Sequence, residues 1–368
     1  MAAGTSDQDR FDAAHALWKE GGHEQAAVLL DELSAKHPGN ADLFSALGVC
    51  RFENGDYAQA RQALERALSL DPDQGIAAYN LAHLLLLLGE EEKGFALYER
   101  RWASFSRPAW HPSPQLAWDG EPLDGTLLVL AEQGFGDMIQ FARFLPLAAK
   151  RCQRLVLAAP PELKRLMAPI SGVAQLVTAG EPLPPFDRFV MMLSLPHRLR
   201  SFGGQRPSPP YLAASKAMDL PGRGMKVGLV WAGRAAHSQD KQRSLDIQEL
   251  APLLKTPGVD FFSLQLGQTP PPGATDLAPG IADFEDTAAV LAGLDLLISA
   301  DTAPAHLAGA MGKPVWTFVT FVPDWRWGLG GETSDWYPQM RLFRQERPGD
   351  WQAPVLRMAQ ALADAAKR

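Results

Sequence analysis

A 34-residue period constrains the fold of this chain more than any single motif does. In the window that starts at Ala41, Leu47-Gly48, Ala60, Leu64, Ala67 and Pro72 fall at positions 7, 8, 20, 24, 27 and 32. Moving the window back by 34 finds Ala13-Ala14, Ala26, Leu30, Leu33 and Pro38. Moving it forward finds Leu81-Ala82, Gly94, Tyr98 and Arg101, with no proline at 106. Each unit reads as two helices that cross where side chains are small, with proline closing the second. Such a unit buries its apolar face only by stacking on a neighbour, and three copies are the usual minimum. Residues 7–108 are therefore expected to form a helical array. Its concave face would hold an extended peptide or partner protein, or the array would serve packing or dimerisation alone.

Past residue 108 the pattern changes. Residues 107–124 carry four prolines and two tryptophans, the composition of an ordered connector laid over a surface. Strand–helix alternation then begins with TLLVLA (126–131), the turn EQGFGD (132–137) and a helix expected over 138–151. RLVLAA (154–159) and short strands near 174–177 and 188–192 complete a small sheet. Prolines at 205–210 and glycines at 222–224 mark a boundary, after which MKVGLVWAG (225–233) opens a second unit. The expected division is repeats at 7–108, connector at 109–124, α/β units at 125–215 and 224–346, and a final helix at 349–368. Hydrophobic content of 46% and charged content of 21% are those of a soluble globular chain. The net charge of −7 carries no basic footprint, so nucleic acid is not an expected partner. Cys50 and Cys152 have no metal-ligand spacing and read as buried free thiols in a reducing compartment. The first residues show no signal peptide, and the Leu84–Leu88 run is far too short to span a bilayer, so a cytoplasmic location is expected.

The stretch most suited to chemistry is DLLISADTAPAHLAGAMGKPVWTF (295–318). It reads as a buried strand (296–300), a turn at Asp301-Thr302, a small-residue helix (303–311), Gly312 as a stop and a second strand (315–318). A helix N-terminus at a strand's carboxyl end suits a phosphate. Thr302 is the expected N-cap, and His306 would sit about one turn in. Pro304 removes one N–H donor. The plainer alternative is a turn common to any such unit, with a hydrogen-bonded structural histidine. In the loop at 233–244, which leads into a helix expected over 245–254, Lys241 and Arg243 would neutralise a diphosphate or simply be solvated. Gly134 and Gly136 lack the dinucleotide spacing. Asp137 reads first as a cap. Trp325, Trp327 and Trp336 read as core or interdomain packing, with a sugar-stacking wall as the alternative.

The 34-residue pattern is that of tetratricopeptide repeats, and GFALYERRW (94–102) resembles the terminal repeat of bacterial tetratricopeptide-linked glycosyltransferases. D-T-x-x-x-H-L-A-x-A-x-G-K-P-x-W (301–316) resembles the nucleotide-sugar motif of heptosyltransferase-like inverting glycosyltransferases, and the module is also similar to O-GlcNAc-transferase-like enzymes. The resemblance implies an α + α/β chain: a tetratricopeptide solenoid, then a GT-B fold of two Rossmann-like domains. It implies Asp137 as catalytic base, and Asp301, Thr302, Ala303 and His306 around the donor diphosphate. Trp231 and Gly233 would shape the donor pocket, with Lys241 and Arg243 in a donor-facing loop and Gln265 beside the nucleobase. Gln133, Gly134 and Gly136 would line the acceptor side, and the last helix would pack back onto the first α/β unit. Ala303-Pro304 departs from the relatives, which carry Gly after the Thr. Asp-x-Asp occurs only at Asp7/Asp9 and Asp71/Asp73, outside the α/β region, so no metal and no cofactor beyond a nucleotide-sugar co-substrate are expected. A protein acceptor held by the repeats comes first and a saccharide or lipopolysaccharide acceptor second. An adaptor with an inactive module is the third reading.

Overall fold

The computed structural model describes residues 6–104, 112–233 and 240–367. The chain separates into two compact units: the repeats with Val322–Leu329, and Pro112–Phe321 with Gly330–Arg368.

In the first unit, antiparallel helix pairs follow the period: α1 (Asp7–Lys19) with α2 (His23–Lys36), α3 (Ala41–Glu53) with α4 (Tyr57–Leu70), and α5 (Gly75–Leu87) with α6 (Glu91–Tyr98). A short α7 (Arg101–Ser104) follows. The crossing positions explain the small residues. A β-carbon on Gly48 would lie 2.5 Å from Leu64 Cγ, and one on Gly94 would lie 2.7 Å from Leu86 Cγ. Tryptophans 325 and 327 are buried, and Trp325 meets Phe95 edge-on at 5.8 Å between ring centroids. Packing is thus the role of these two, as expected, but on the last repeat.

That repeat encloses a histidine. Half-buried His83 lies 4.2 Å from the Tyr79 ring and 5.5 Å from the Tyr98 ring. Burial pushes its pKa down to about 4 against an opposing pull from Asp324, whose carboxylate is ion-paired with Arg326 at 2.9 Å. Between about pH 6.5 and 4 the unfolded chain binds a proton at this site that the folded chain excludes, so stability falls as pH falls through that window.

The second unit holds two parallel sheets. The smaller has the order β3-β2-β1-β4. Its strands are β1 (Leu123–Leu130), β2 (Cys152–Ala158), β3 (Val173–Val177) and β4 (Arg188–Met191). Helices α8 (Phe135–Phe141), α9 (Leu145–Ala149), α10 (Lys164–Met167) and α11 (Leu195–Leu199) connect and flank them. The larger sheet has the order β10-β9-β8-β5-β6-β7. It is built from β5 (Met225–Val230), β6 (Val259–Ser263), β7 (Thr275–Asp276), β8 (Leu296–Ser299), β9 (Val315–Val319) and β10 (Met340–Arg344). Around it run α12 (Asp240–Arg243), α13 (Ala251–Leu254), α14 (Phe284–Gly293), α15 (Ala303–Ala310) and α16 (Gln352–Ala365). Leu127–Leu130 and Leu296–Ser299 are buried throughout, as strands covered on both faces must be. The architecture is therefore a helical repeat array followed by an α/β part with parallel sheets. Among the described residues no helix is long and apolar enough to cross a membrane.

Three expectations are corrected. The helix expected over 138–151 starts at Phe135 and breaks into α8 and α9, because Pro146 cannot continue it. The helix expected from Leu245 is a 3₁₀ turn at Ile247–Leu250 followed by α13, with Asp246 as its cap. The last helix does not return to the first sheet. Val355, Met358 and Leu362 join Val227, Leu229, Phe261 and Phe343 in the core of the larger sheet, because that is the apolar face its stripe meets. Of the two thiols, Cys50 is buried and Cys152 only half-buried.

Two outcomes follow for the repeat unit. Gly48→Ala is expected to cost about 1–3 kcal/mol by overpacking, read as a lower urea midpoint at unchanged slope. His83→Phe should remove about 1 kcal/mol of the stability difference between pH 7 and pH 5, measured by urea unfolding at both pH values.

Candidate functional site

Strand order places the site. In the larger sheet the chain runs outward from β5 to β6 and β7, then returns to the other side of β5 for β8, β9 and β10. The carboxyl ends of β5 and β8 thus flank a topological switch point, the crevice in which open α/β sheets bind ligands. Trp231–Gly233 leave β5 there, and Asp301-Thr302 leave β8. The smaller sheet switches between β1 and β4. Ala131–Gly134 leave β1 at that point, and buried Glu132 spans the gap by accepting the Leu193 N–H at 3.1 Å.

The two switch points meet. Helix α8 packs on α15, and a β-carbon on Gly136 would fall 2.8 Å from His306 Cδ2. Only a glycine lets the ring lie on this backbone. The structure therefore brings the Gln133–Asp137 turn of one sheet against the 301–306 turn of the other. Gln133 holds a left-handed conformation (φ 63°), uncommon for a residue with a β-carbon, at the tip of the first turn.

Asp137 is the third residue of α8, and Gly134 is the N-cap. The Asp137 carboxylate accepts the Gly134 N–H at 2.9 Å, so it reaches back over the cap and is not the cap itself. Thr302 occupies the N-cap position of α15, but its side chain accepts no helix amide. The reason is Pro304. A capping oxygen takes the second or third amide, the second is absent, and the third, on Ala305, donates to the Thr302 carbonyl at 3.0 Å. The Thr302 hydroxyl instead donates to Ala300 O and lies 3.0 Å from Ser299 Oγ. Among the described residues, no hydrogen bond engages the Ala303 N–H at the end of β8. His306 is 6% exposed, with Nδ1 3.0 Å from the Tyr337 hydroxyl and Nε2 3.7 Å from Asp301 Oδ1.

The residues from β5 and β6 expected to face a donor are fixed from within. Gln265 is buried, and its side-chain carbonyl accepts the N–H groups of Trp231 (3.1 Å) and Ala232 (2.9 Å). It shapes the loop and not an open nucleobase wall. Trp231 is core, its indole N–H donating to Gln268 at 2.8 Å. Gly233 N–H donates to Ser244 Oγ at 3.1 Å. Arg243 ends α12 half-buried, while the side chain of Lys241 and residues 234–239 lie outside the described residues. The acidic turn at 283–286 is engaged structurally: Asp283 caps α14, and Arg165 of α10 pairs with Asp283 (3.0 Å) and Asp286 (3.1 Å).

Two residues emerge that the sequence did not single out. Arg143 is 2% exposed and donates to Gln140 O, Pro207 O, Tyr211 Oη and Trp336 O at 3.1–3.3 Å, among the rings of Tyr211, Trp336 and Tyr337. A buried guanidinium needs this saturation. Apart from Gln140, its partners lie 64–193 residues away, so no local pattern marks it. Tyr337, fully buried, sits in the WYP string with no local sign of its contact to His306. Trp336 is buried beside Arg143, which makes it packing and not a sugar wall.

Comparison with known proteins finds matches along the chain. The tetratricopeptide repeat family matches residues 11–74 and 51–111, and glycosyltransferase family 9 (heptosyltransferase) matches 264–327. The chain thus joins residues that match tetratricopeptide repeats to a segment that matches glycosyltransferase family 9. That segment contains the Asp301–His306 turn. Protein FlbA of Caulobacter vibrioides is 28% identical over 92% of this chain, which spans 64% of FlbA's length. Among solved structures, the iron-containing dodecameric glycosyltransferase TibC from enterotoxigenic E. coli aligns at 16% identity and TM-score 0.46, over 64% of this chain and 67% of TibC. A family 9 glycosyl transferase from Veillonella parvula aligns at 11% and 0.44, over 68% of this chain and 98% of its own.

Gly136→Ala should force His306 off its seat. The expected result is a loss of about 1–3 kcal/mol in urea unfolding of the full chain, while Gly134→Ala, where the nearest atom is an oxygen at the end of the Asp137 side chain at 3.2 Å, should cost less.

Proposed function

We propose that this protein is a glycosyltransferase of the heptosyltransferase-like kind, moving a sugar from a nucleotide-sugar donor to an acceptor hydroxyl with inversion and without a metal. The observation that carries the reading is the contact of the two switch-point turns, Gly136 against His306, with Asp137 on one side and the α15 N-terminus on the other. The α15 turn would take the diphosphate through the Ala303 N–H, the helix dipole and the His306 ring, with Arg243 and Lys241 adding positive charge. Asp137 would accept the acceptor proton as its oxygen attacks the anomeric carbon. A new carbon–oxygen bond forms on one face while the bond to the diphosphate breaks on the other, and the nucleoside diphosphate leaves with the electron pair. The Gly134 N–H supports this role by orienting the carboxylate.

We further propose a protein acceptor held by the repeats. The support is their fusion to the α/β part in one chain. One observation favours a different reading, an adaptor that binds without turning over: Pro304 withdraws an amide from the place where a diphosphate needs donors.

A thermal-shift panel of UDP, GDP, ADP, dTDP and CMP with their sugar conjugates tests the donor site first. A ligand at a hundredfold excess over its Kd should stabilise the fold by about 2.7 kcal/mol. One nucleotide should shift the midpoint, and His306→Ala should abolish the shift. Asp137→Asn should then retain that shift while turnover falls about 10²- to 10⁴-fold. Full activity in Asp137→Asn removes the base assignment, and a bound nucleotide with no turnover towards any acceptor leaves the adaptor.

A further inference from the structure

We propose that Tyr337 is a positioning residue that locks His306 in the Nε2–H tautomer, so that the ring offers a hydrogen-bond donor to an anionic ligand. The inference rests on the donor-site reading above and deepens it. The Tyr337 hydroxyl lies 3.0 Å from His306 Nδ1, while Nε2 lies 3.7 Å from Asp301 Oδ1. An ionised carboxylate only accepts, and at this separation it favours the tautomer with the hydrogen on the nitrogen turned toward it. Nδ1 then keeps its lone pair, and the Tyr337 O–H donates to it. The other tautomer would aim a lone pair at Asp301, and equally at any phosphate oxygen entering the turn. A neutral imidazole serves an anion only through its N–H, so the choice of tautomer decides whether this ring attracts or repels a diphosphate.

Tyr337 is held firmly enough to impose that choice. It is fully buried, and its ring lies on α15 at Gly309, where a β-carbon would come within 2.5 Å of it. Arg143 sits 5.2 Å from the ring centroid and fixes the preceding residue by donating to Trp336 O at 3.1 Å. The two glycines of the site, Gly136 and Gly309, thus serve one purpose: one seats the His306 ring and the other seats the tyrosine behind it. The Tyr211 hydroxyl, beside the same arginine, gives its own proton to Gln140 O at 3.2 Å and accepts from Arg143 at 3.1 Å. The competing polarity has Tyr337 donating to Tyr211 and accepting from a His306 Nδ1–H.

The test is nitrogen NMR on the full chain labelled with ¹⁵N-histidine, the His306 ring identified among eight histidines by its loss in His306→Gln. The expected wild-type ring has a pyrrole-type Nε2 and a pyridine-type Nδ1. In Tyr337→Phe, with folding checked by its melting transition, the two tautomers should mix. Binding of the nucleotide that shifts the wild type should weaken about 3- to 10-fold, the worth of one ordinary hydrogen bond. The wild-type spectrum decides the tautomer whether or not the variant folds. A wild-type Nδ1–H, or an unchanged tautomer in folded Tyr337→Phe, overturns the assignment. If the tautomer shifts as expected but neither protein binds any nucleotide, the donor-site reading fails instead and the tautomer assignment stands.

Discussion

The α/β part depends on one close approach, the His306 ring lying on bare backbone at Gly136. Two parallel sheets each place their switch point at the carboxyl ends of their strands, but nothing in either sheet makes the two points face each other. That is done by α8 packing on α15, and the approach is possible because one helix presents a glycine where the other presents a planar ring. Everything chemically useful nearby inherits its position from this contact. The Asp137 carboxylate is held by its own turn through Gly134, and His306 is held from behind by Tyr337. Arg143 then ties α8, the 207–211 segment and Trp336 into one buried cluster. A charged side chain so deeply placed is stable only because its N–H groups reach oxygens and its faces reach rings.

The repeat unit follows the same logic with cheaper parts. Gly48 and Gly94 let paired helices cross, and alanines fill the remaining contact positions. Among the described residues no further repeat covers the last one, and a stack of this kind needs a cap. Val322–Leu329, which leaves the α/β part after β9 and returns before β10, belongs to this unit, with Trp325 against Phe95 and Asp324 acting on His83. The absent proline at 106 and the shortened α6 mark the same place in sequence.

Period and strand pattern were legible from residues alone because they are local. The 34-residue spacing located three helix pairs, and the stretches at 126–131, 154–159, 225–233, 296–300 and 315–318 located the central strands to within three residues. The turn at 301–306 was legible for the same reason. What escaped is long-range or depends on a missing atom. Arg143, Tyr337 and Glu132 acquire their roles from partners far away in sequence. Thr302 fits the capping pattern, and only the loss of the second amide to Pro304 turns its hydroxyl elsewhere. Gln265 stands where a ligand contact is expected, yet its carbonyl is consumed by two backbone amides. The last helix shows an apolar stripe, but a stripe does not say which of two sheets it will meet.

Pro304 bears most directly on how an anion could be held here. A helix start ordinarily offers several free amides, and this one has lost the second to proline and the third to the Thr302 carbonyl. The helix dipole remains, since it belongs to all the peptide units of α15 and not to one N–H. Of the local amides the Ala303 N–H is left, so further donation has to come from side chains. His306 is the side chain already in place, buried, seated on Gly136 and backed by a tyrosine hydroxyl on its far nitrogen. A site that traded backbone amides for an imidazole would gain a donor whose direction depends on a tautomer. The burial of Tyr337 and Arg143 behind a single ring would suit such a trade.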